Sequence, residues 1–133
     1  MNNVIITIKA EVNPTEDEKK VIEAVQNIFQ QAILESIPQH CGESLVAKIE
    51  GIECLSILKD LIKKERIFNA SKRLMLKGLR DNSLFFFLNK QAAYMKRVSF
   101  CETEDESPLG PIRIEVNCDN PKEIIRWITS ETR

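Results

Sequence analysis

Hydrophobic and polar residues alternate at the start of the chain. Val4, Ile6, Ile8, Ala10 and Val12 are interleaved with Thr7, Lys9 and Glu11, the period of two expected of a strand with one buried face. "NPTEDEKK" ends the alternation. Pro14 stops the strand, and Thr15 with Glu18 three residues later reads as a capping box that opens a helix. That helix carries Val21, Ile22, Val25, Ile28 and Phe29 inward. "AILESI" reads as a short strand, Pro38 to Ser44 as a loop, and "LVAKIEGI" as the next strand.

From Glu53 the period becomes helical, with Leu55, Leu58, Leu61 and Ile62 on one side. "RIF" (Arg66–Phe68) bends or interrupts this helix, and "NASKRLMLKGL" gives a second helical stretch from Asn69. Gly78 is expected as its left-handed terminator, with "DNS" as the turn that follows. "LFFFLN" is short, aromatic and bounded by turn residues, so it reads as a buried central strand. "AYMKRVSF" and "PIRIEVNC" read as two further strands, paired as a hairpin over 95–101 and 111–118. The last element is a helix in "DNPKEIIRWITSE", with Asn120 as N-cap, Pro121 at the first helical position, and Ile124, Ile125, Trp127 and Ile128 for burial. These elements make one α+β domain over residues 1–133: a mostly antiparallel or mixed sheet with helices packed on it.

Composition adds little to this picture. In 133 residues, 43% are hydrophobic and 29% charged, an ordinary globular balance. No apolar run approaches the roughly 18 residues that a membrane-spanning helix needs, and the amino terminus lacks the basic flank of a signal peptide. Cys41, Cys54, Cys101 and Cys118 include no close pair of the kind zinc sites use, and read as reduced thiols in a cytoplasmic protein.

Charge changes the picture more. The net charge is −1 with 19 basic and 20 acidic residues, yet Lys59 to Arg97 contains eleven basic residues against Asp60, Glu65 and Asp81. That third of the chain therefore carries +8 and the remainder −9 (eight basic, seventeen acidic). Such segregation bears on partners rather than on fold. On a continuous helix Arg66, Arg73, Lys77 and Arg80 fall within about 60° of one another, with Phe68, Met75, Leu76 and Leu79 opposite. Like charges at i,i+4, as in Arg73 and Lys77, cost a few tenths of a kcal/mol, which an anionic partner would offset. Lys90, Lys96 and Arg97 extend the basic surface. The acids Glu102, Glu104, Asp105 and Glu106 close it, in what reads as a solvated loop rather than a cation site.

Catalytic patterns are missing. Four glycines, at 42, 51, 78 and 110, cannot build a glycine-rich phosphate loop, and His40 is the single histidine. The chain is expected to be no enzyme and to need no metal or cofactor. "NKQAAY" supplies polar side chains suited to phosphate, ribose or base edges in Asn89, Lys90 and Gln91, with Tyr94 as a stacking ring. The same side chains could instead hydrogen-bond neighbouring backbone while Tyr94 packs.

"LNKQAAY" (Leu88–Tyr94), "VSF" (Val98–Phe100), the acidic stretch and "ESPLGPI" (Glu106–Ile112) together resemble a family of uncharacterised archaeal proteins. That family is grouped with predicted RNA-binding proteins, some proposed to act with the exosome. The likeness extends to "PTED" (Pro14–Asp17), to "RI" (Arg66, Ile67) and to "LKG" ending at Gly78. The resemblance implies a fold like that of ribosomal protein L-five and a role in binding RNA, with Asn89, Lys90 and Gln91 as candidate contacts. Where family members have a small residue near a glycine after the aromatic, this chain has Met95 and Lys96. "ESPLGPI" can also be read as a defined corner built from Pro108, Gly110 and Pro111. RNA held by Arg66, Arg73, Lys77 and Arg80 is thus the expected partner. The alternative is a protein-interaction or self-association module, a homodimer or complex in which the basic helix meets the acidic loop of another copy.

Overall fold

A computed structural model describes residues 3–103 and 109–130. Six strands form one sheet in the order β2-β3-β1-β6-β4-β5, with antiparallel pairing throughout. The centre is β1 (Ile5–Val12), flanked by β3 (Glu43–Glu50) and β6 (Ile112–Asn117). In register, Ile8 lies opposite Ala47 on one side and Ile114 on the other, and β4 (Ser83–Leu88) continues the row with Phe86 opposite Ile114. Their side chains share one face because alternate residues of paired strands point the same way. All four are buried, three of them hydrophobic residues large enough to fill the layer between sheet and helices.

Helices cover that face. α1 (Glu18–Ile28) buries Val21, Ala24, Val25 and Ile28 at helical spacing. α2 (Ser56–Glu65), entered through a 3-10 turn at Ile52–Leu55, buries Leu58 and Ile62. α3 (Phe68–Lys77) buries Ser71 and Met75, and α5 (Pro121–Ile128) buries Ile124, Ile125 and Ile128. α2, α3 and α5 pack on one another, while α4 (Lys90–Tyr94) packs on α1. The architecture is a single α+β domain, as the pattern of elements predicts. No helix among the described residues is long and apolar enough to cross a membrane.

Several elements differ from the reading of the sequence. The cap of α1 is Asp17, whose carboxylate accepts from the Lys19 amide; Thr15 lies outside the helix. A charged acceptor at that position also complements the helix dipole. The residues "AYMKRVSF" are not a strand. Asn89 accepts from the Ala92 amide and starts α4, so that only Phe100–Cys101 remain as β5. The expected hairpin between 95–101 and 111–118 is replaced by β4, which stands between β5 and β6. β2 covers Glu35–Pro38 rather than "AILESI", and Ile33 is 83% exposed. An edge strand with no buried residue leaves little apolar signal. Gly78 is not left-handed (φ −95°). Its role is steric: a Cβ there would sit 1.9 Å from the Phe85 carbonyl oxygen. The left-handed residues near this region are Arg66 (φ 55°) and Lys96 (φ 60°), so the corner after Tyr94 takes a backbone that glycine would adopt more easily.

The four cysteines are free thiols, Cys41 exposed and the others buried. Burial, with a minor push from neighbouring carboxylates, raises the Cys54 and Cys118 thiols above their ordinary pKa.

Candidate nucleic-acid interface

The bend at "RIF" determines where the cations go. Arg66 closes α2 in the left-handed conformation, its amide bonding the Ile62 and Lys63 carbonyls. α3 starts two residues later and ends at Lys77. Arg66, Arg73, Lys77 and Arg80 are therefore not one stripe on a continuous helix. Arg73 and Lys77 share the outer side of α3, Arg66 stands before its start, and Arg80 lies beyond its end. Leu76 is 43% exposed rather than inward, because the inward arc runs through Ser71, Met75 and Gly78.

Each cation has its own surroundings. The Arg73 guanidinium donates to Glu102 at 3.1 Å, with both groups about half exposed. Arg73 first, and Lys77 more weakly, hold the Glu102 carboxyl below its ordinary pKa. Arg80 lies over the Phe85 ring at 4.9 Å and donates to the carbonyls of Leu79 and Lys77. Arg113 approaches the same ring at 5.6 Å. Arg97 pairs with Glu65 of the last turn of α2 at 3.4 Å, which brings the corner holding Lys96 beside the end of that helix. Lys59 donates to the carbonyls of Trp127 and Ser130, closing the end of α5.

Asn89 and Lys90 are engaged inside the fold. The Lys90 side chain is only 4% exposed. Its ammonium donates to both Glu16 carboxylate oxygens and to the carbonyls of Glu11 and Leu109, all between 2.7 and 3.0 Å. Glu16 in turn accepts from the Asn13 amide and side chain, and Asn13 donates to the same Leu109 carbonyl. Partial burial pushes the Glu16 carboxyl up, but hydrogen bonds from Asn13 and Lys90 outweigh it, leaving the group below its ordinary pKa. A cation with these partners has no donor left for a phosphate. Lys90 instead ties the segment after the acidic loop to β1 and to the turn before α1, and Asn89 is the cap of α4. Of the three, only Gln91 is exposed. Tyr94 is 37% exposed, in a groove between α4 and α1. Glu104, Asp105 and Glu106 lie outside the described residues.

The structure brings together residues that sequence separates. At the α2–α3 junction a concavity of about 1040 Å³ is lined by Lys63, Arg66 and Lys72, and by Arg126 of α5. A shallower depression of about 450 Å³ continues along α3 past Arg73 and Lys77, and shares Asn69 and Lys72 with the first. No acidic side chain lines either among the described residues. Lys63, Lys72 and Arg126 were not singled out by sequence. Lys63 and Lys72 belong to the basic segment but fall off the expected stripe, while Arg126 sits in a separate helix with no pattern linking it to them. Among the described residues, no cluster of His, Cys, Asp and Glu could hold a metal ion.

A family model described as RNA binding matches residues 5–118. A UPF0201 protein of Sulfurisphaera tokodaii is 37% identical over 127 residues, covering 96% of this chain and 88% of its own. One from Pyrobaculum islandicum is 39% identical over 123 residues, covering 92% and 86%. The crystal structure of a UPF0201 protein from Methanococcus jannaschii superposes with a TM-score of 0.83 at 33% identity, over 97% of this chain and 95% of that one.

Proposed function

The chain belongs to the UPF0201 family of archaeal proteins, and from that premise we propose that it is a non-catalytic RNA-binding protein whose contact surface is the outer side of α3 and the junction before it. One observation carries this reading: two adjoining depressions, lined by cations from three helices and by no acid among the described residues. Arg66, Arg73 and Lys77 contact backbone phosphates there. Lys96 and Arg97 extend the surface past the end of α2, Arg80 extends it past the end of α3, and Gln91 is an outlying polar contact.

Affinity then rests mainly on charge and RNA shape, since polar groups suited to base edges are few on this surface. The alternative, in which the basic helix pairs with the acidic loop of a second copy, is less favoured. Glu102 of that loop already pairs with Arg73 of its own chain. The double variant Arg73→Glu/Lys77→Glu tests the proposal. Both positions are exposed, so the circular dichroism spectrum and unfolding midpoint should stay close to wild type. Affinity for a short RNA should fall on the order of a hundredfold, as expected for reversing two phosphate contacts. An unchanged affinity sinks the assignment.

A further inference from the structure

We propose that the larger concavity, between the end of α2, the start of α3 and the last turn of α5, seats a terminal phosphate monoester of the bound RNA. This rests on the RNA-binding reading and adds to it a specificity for chain ends.

Part of the basic lining has a simpler account. Lys63 and Arg126 stand in the last turns of α2 and α5, where a cation complements the negative end of a helix. Arg66, the C-terminal cap of α2, shares that account, which does not reach Lys72, in the middle of α3. Nor does it explain why four cations from three helices surround one space. None of the four has an ion-pair partner among the described residues. This contrasts with Arg73, Arg97 and Lys90, each of which has a carboxylate. Lys64, Lys77 and Lys96 likewise have no ion pair among the described residues, but none of them lines this hollow, where four such cations meet.

The shape favours one kind of anion. A duplex or an extended strand presents its phosphates in a row, one negative charge each, and is matched by a row of cations. Four cations lining one hollow, rather than standing in a row, suit an anion whose charge is concentrated at the end of a chain. A terminal phosphate carries about −1.5 to −2 at neutral pH, with three acceptor oxygens free. The start of α3 adds to this. It has no side-chain cap and no acidic residue in its first turn, and its opening residues Phe68, Asn69 and Ala70 line the hollow. Amides at a helix start attract anions. The second depression supplies the continuation: it leaves the hollow at Asn69 and Lys72 and runs along α3 past Arg73 and Lys77. A strand with its end phosphate in the hollow can lay its next phosphates along that path.

The test uses one short single-stranded RNA, internally labelled, in three forms: a 5′-monophosphate, a 3′-monophosphate, and hydroxyls at both ends. Fluorescence anisotropy with the full chain should show one phosphorylated form binding on the order of tenfold more tightly than the hydroxyl-ended RNA. Which form it is gives the polarity of the strand. In the variant Lys63→Ala/Arg126→Ala, checked for folding by circular dichroism, that preference should disappear. Equal affinity for all three forms overturns the end-phosphate site while leaving RNA binding intact. A preference that survives in the variant also overturns it, by placing the recognition elsewhere. Failure to bind any form removes both readings.

Discussion

Removing the Lys90 ammonium would leave the Glu16 carboxylate without its counter-charge, held only by Asn13. It would also take a donor from the carbonyls of Glu11 and Leu109 in a nearly closed site. Breaking one side of a buried pair costs about 3–5 kcal/mol, so Lys90→Met should lower stability by about 3 kcal/mol in urea unfolding. Affinity for RNA, corrected for the folded fraction, should hardly change. A loss of RNA binding without loss of stability would restore Lys90 to the interface. Glu16 supplies a pH signature of the same cluster. Its carboxyl lies below the ordinary value of 4.5 in the folded protein, so its contribution is fully present above that value. It is lost as pH falls through the lower folded pKa. The stability difference between wild type and Glu16→Gln should therefore be constant near neutrality and shrink below about pH 4. Arg66 offers the converse separation. Its left-handed backbone costs about 1–2 kcal/mol, which glycine relieves while gaining unfolded-state freedom. Arg66→Gly should thus change stability by less than about 1 kcal/mol and yet weaken RNA binding; unchanged RNA affinity would remove Arg66 from the contact surface.

Between elements, the closest constraint is the approach of α3 to β4 at Gly78. A methyl group there meets the Phe85 carbonyl at 1.9 Å, so Gly78→Ala must push the helix end away from the strand. Overpacking of this kind costs about 1–3 kcal/mol, measurable as a lowered midpoint in thermal or urea unfolding. Stability equal to wild type would mean that the approach relaxes freely. The sequence shows which segments form elements far better than it shows their ends. β1, α1 and β6 follow from a clean period, because each has one face against the core, whereas β4 is legible only as a short apolar run between turn residues, which hides that just one of its faces is buried. β2 has no buried residue and α4 is a single capped turn, so neither leaves a period to read. The basic stripe failed for a related reason. A stripe needs one helix from Arg66 to Arg80, but the bend expected at "RIF" falls on Arg66 itself, in the left-handed conformation, and α3 ends at Lys77.

For the molecule as a whole, the charge segregation was legible in the sequence, but its centre was not. Three of the cations counted from Lys59 to Arg97 are held by the fold's own carboxylates: Lys90 by Glu16, Arg73 by Glu102 and Arg97 by Glu65. Of the remainder, Lys63, Arg66 and Lys72 gather where α2, α3 and α5 meet, and Arg126 joins them through tertiary packing alone. The central claim is that this surface binds RNA by neutralising several phosphates together. The most direct test is the affinity of the wild-type chain for a short labelled RNA across a salt series. Four or more neutralised phosphates predict a slope of log affinity against log salt of about −3 or steeper. No binding even at low salt, or binding indifferent to salt, would contradict the account.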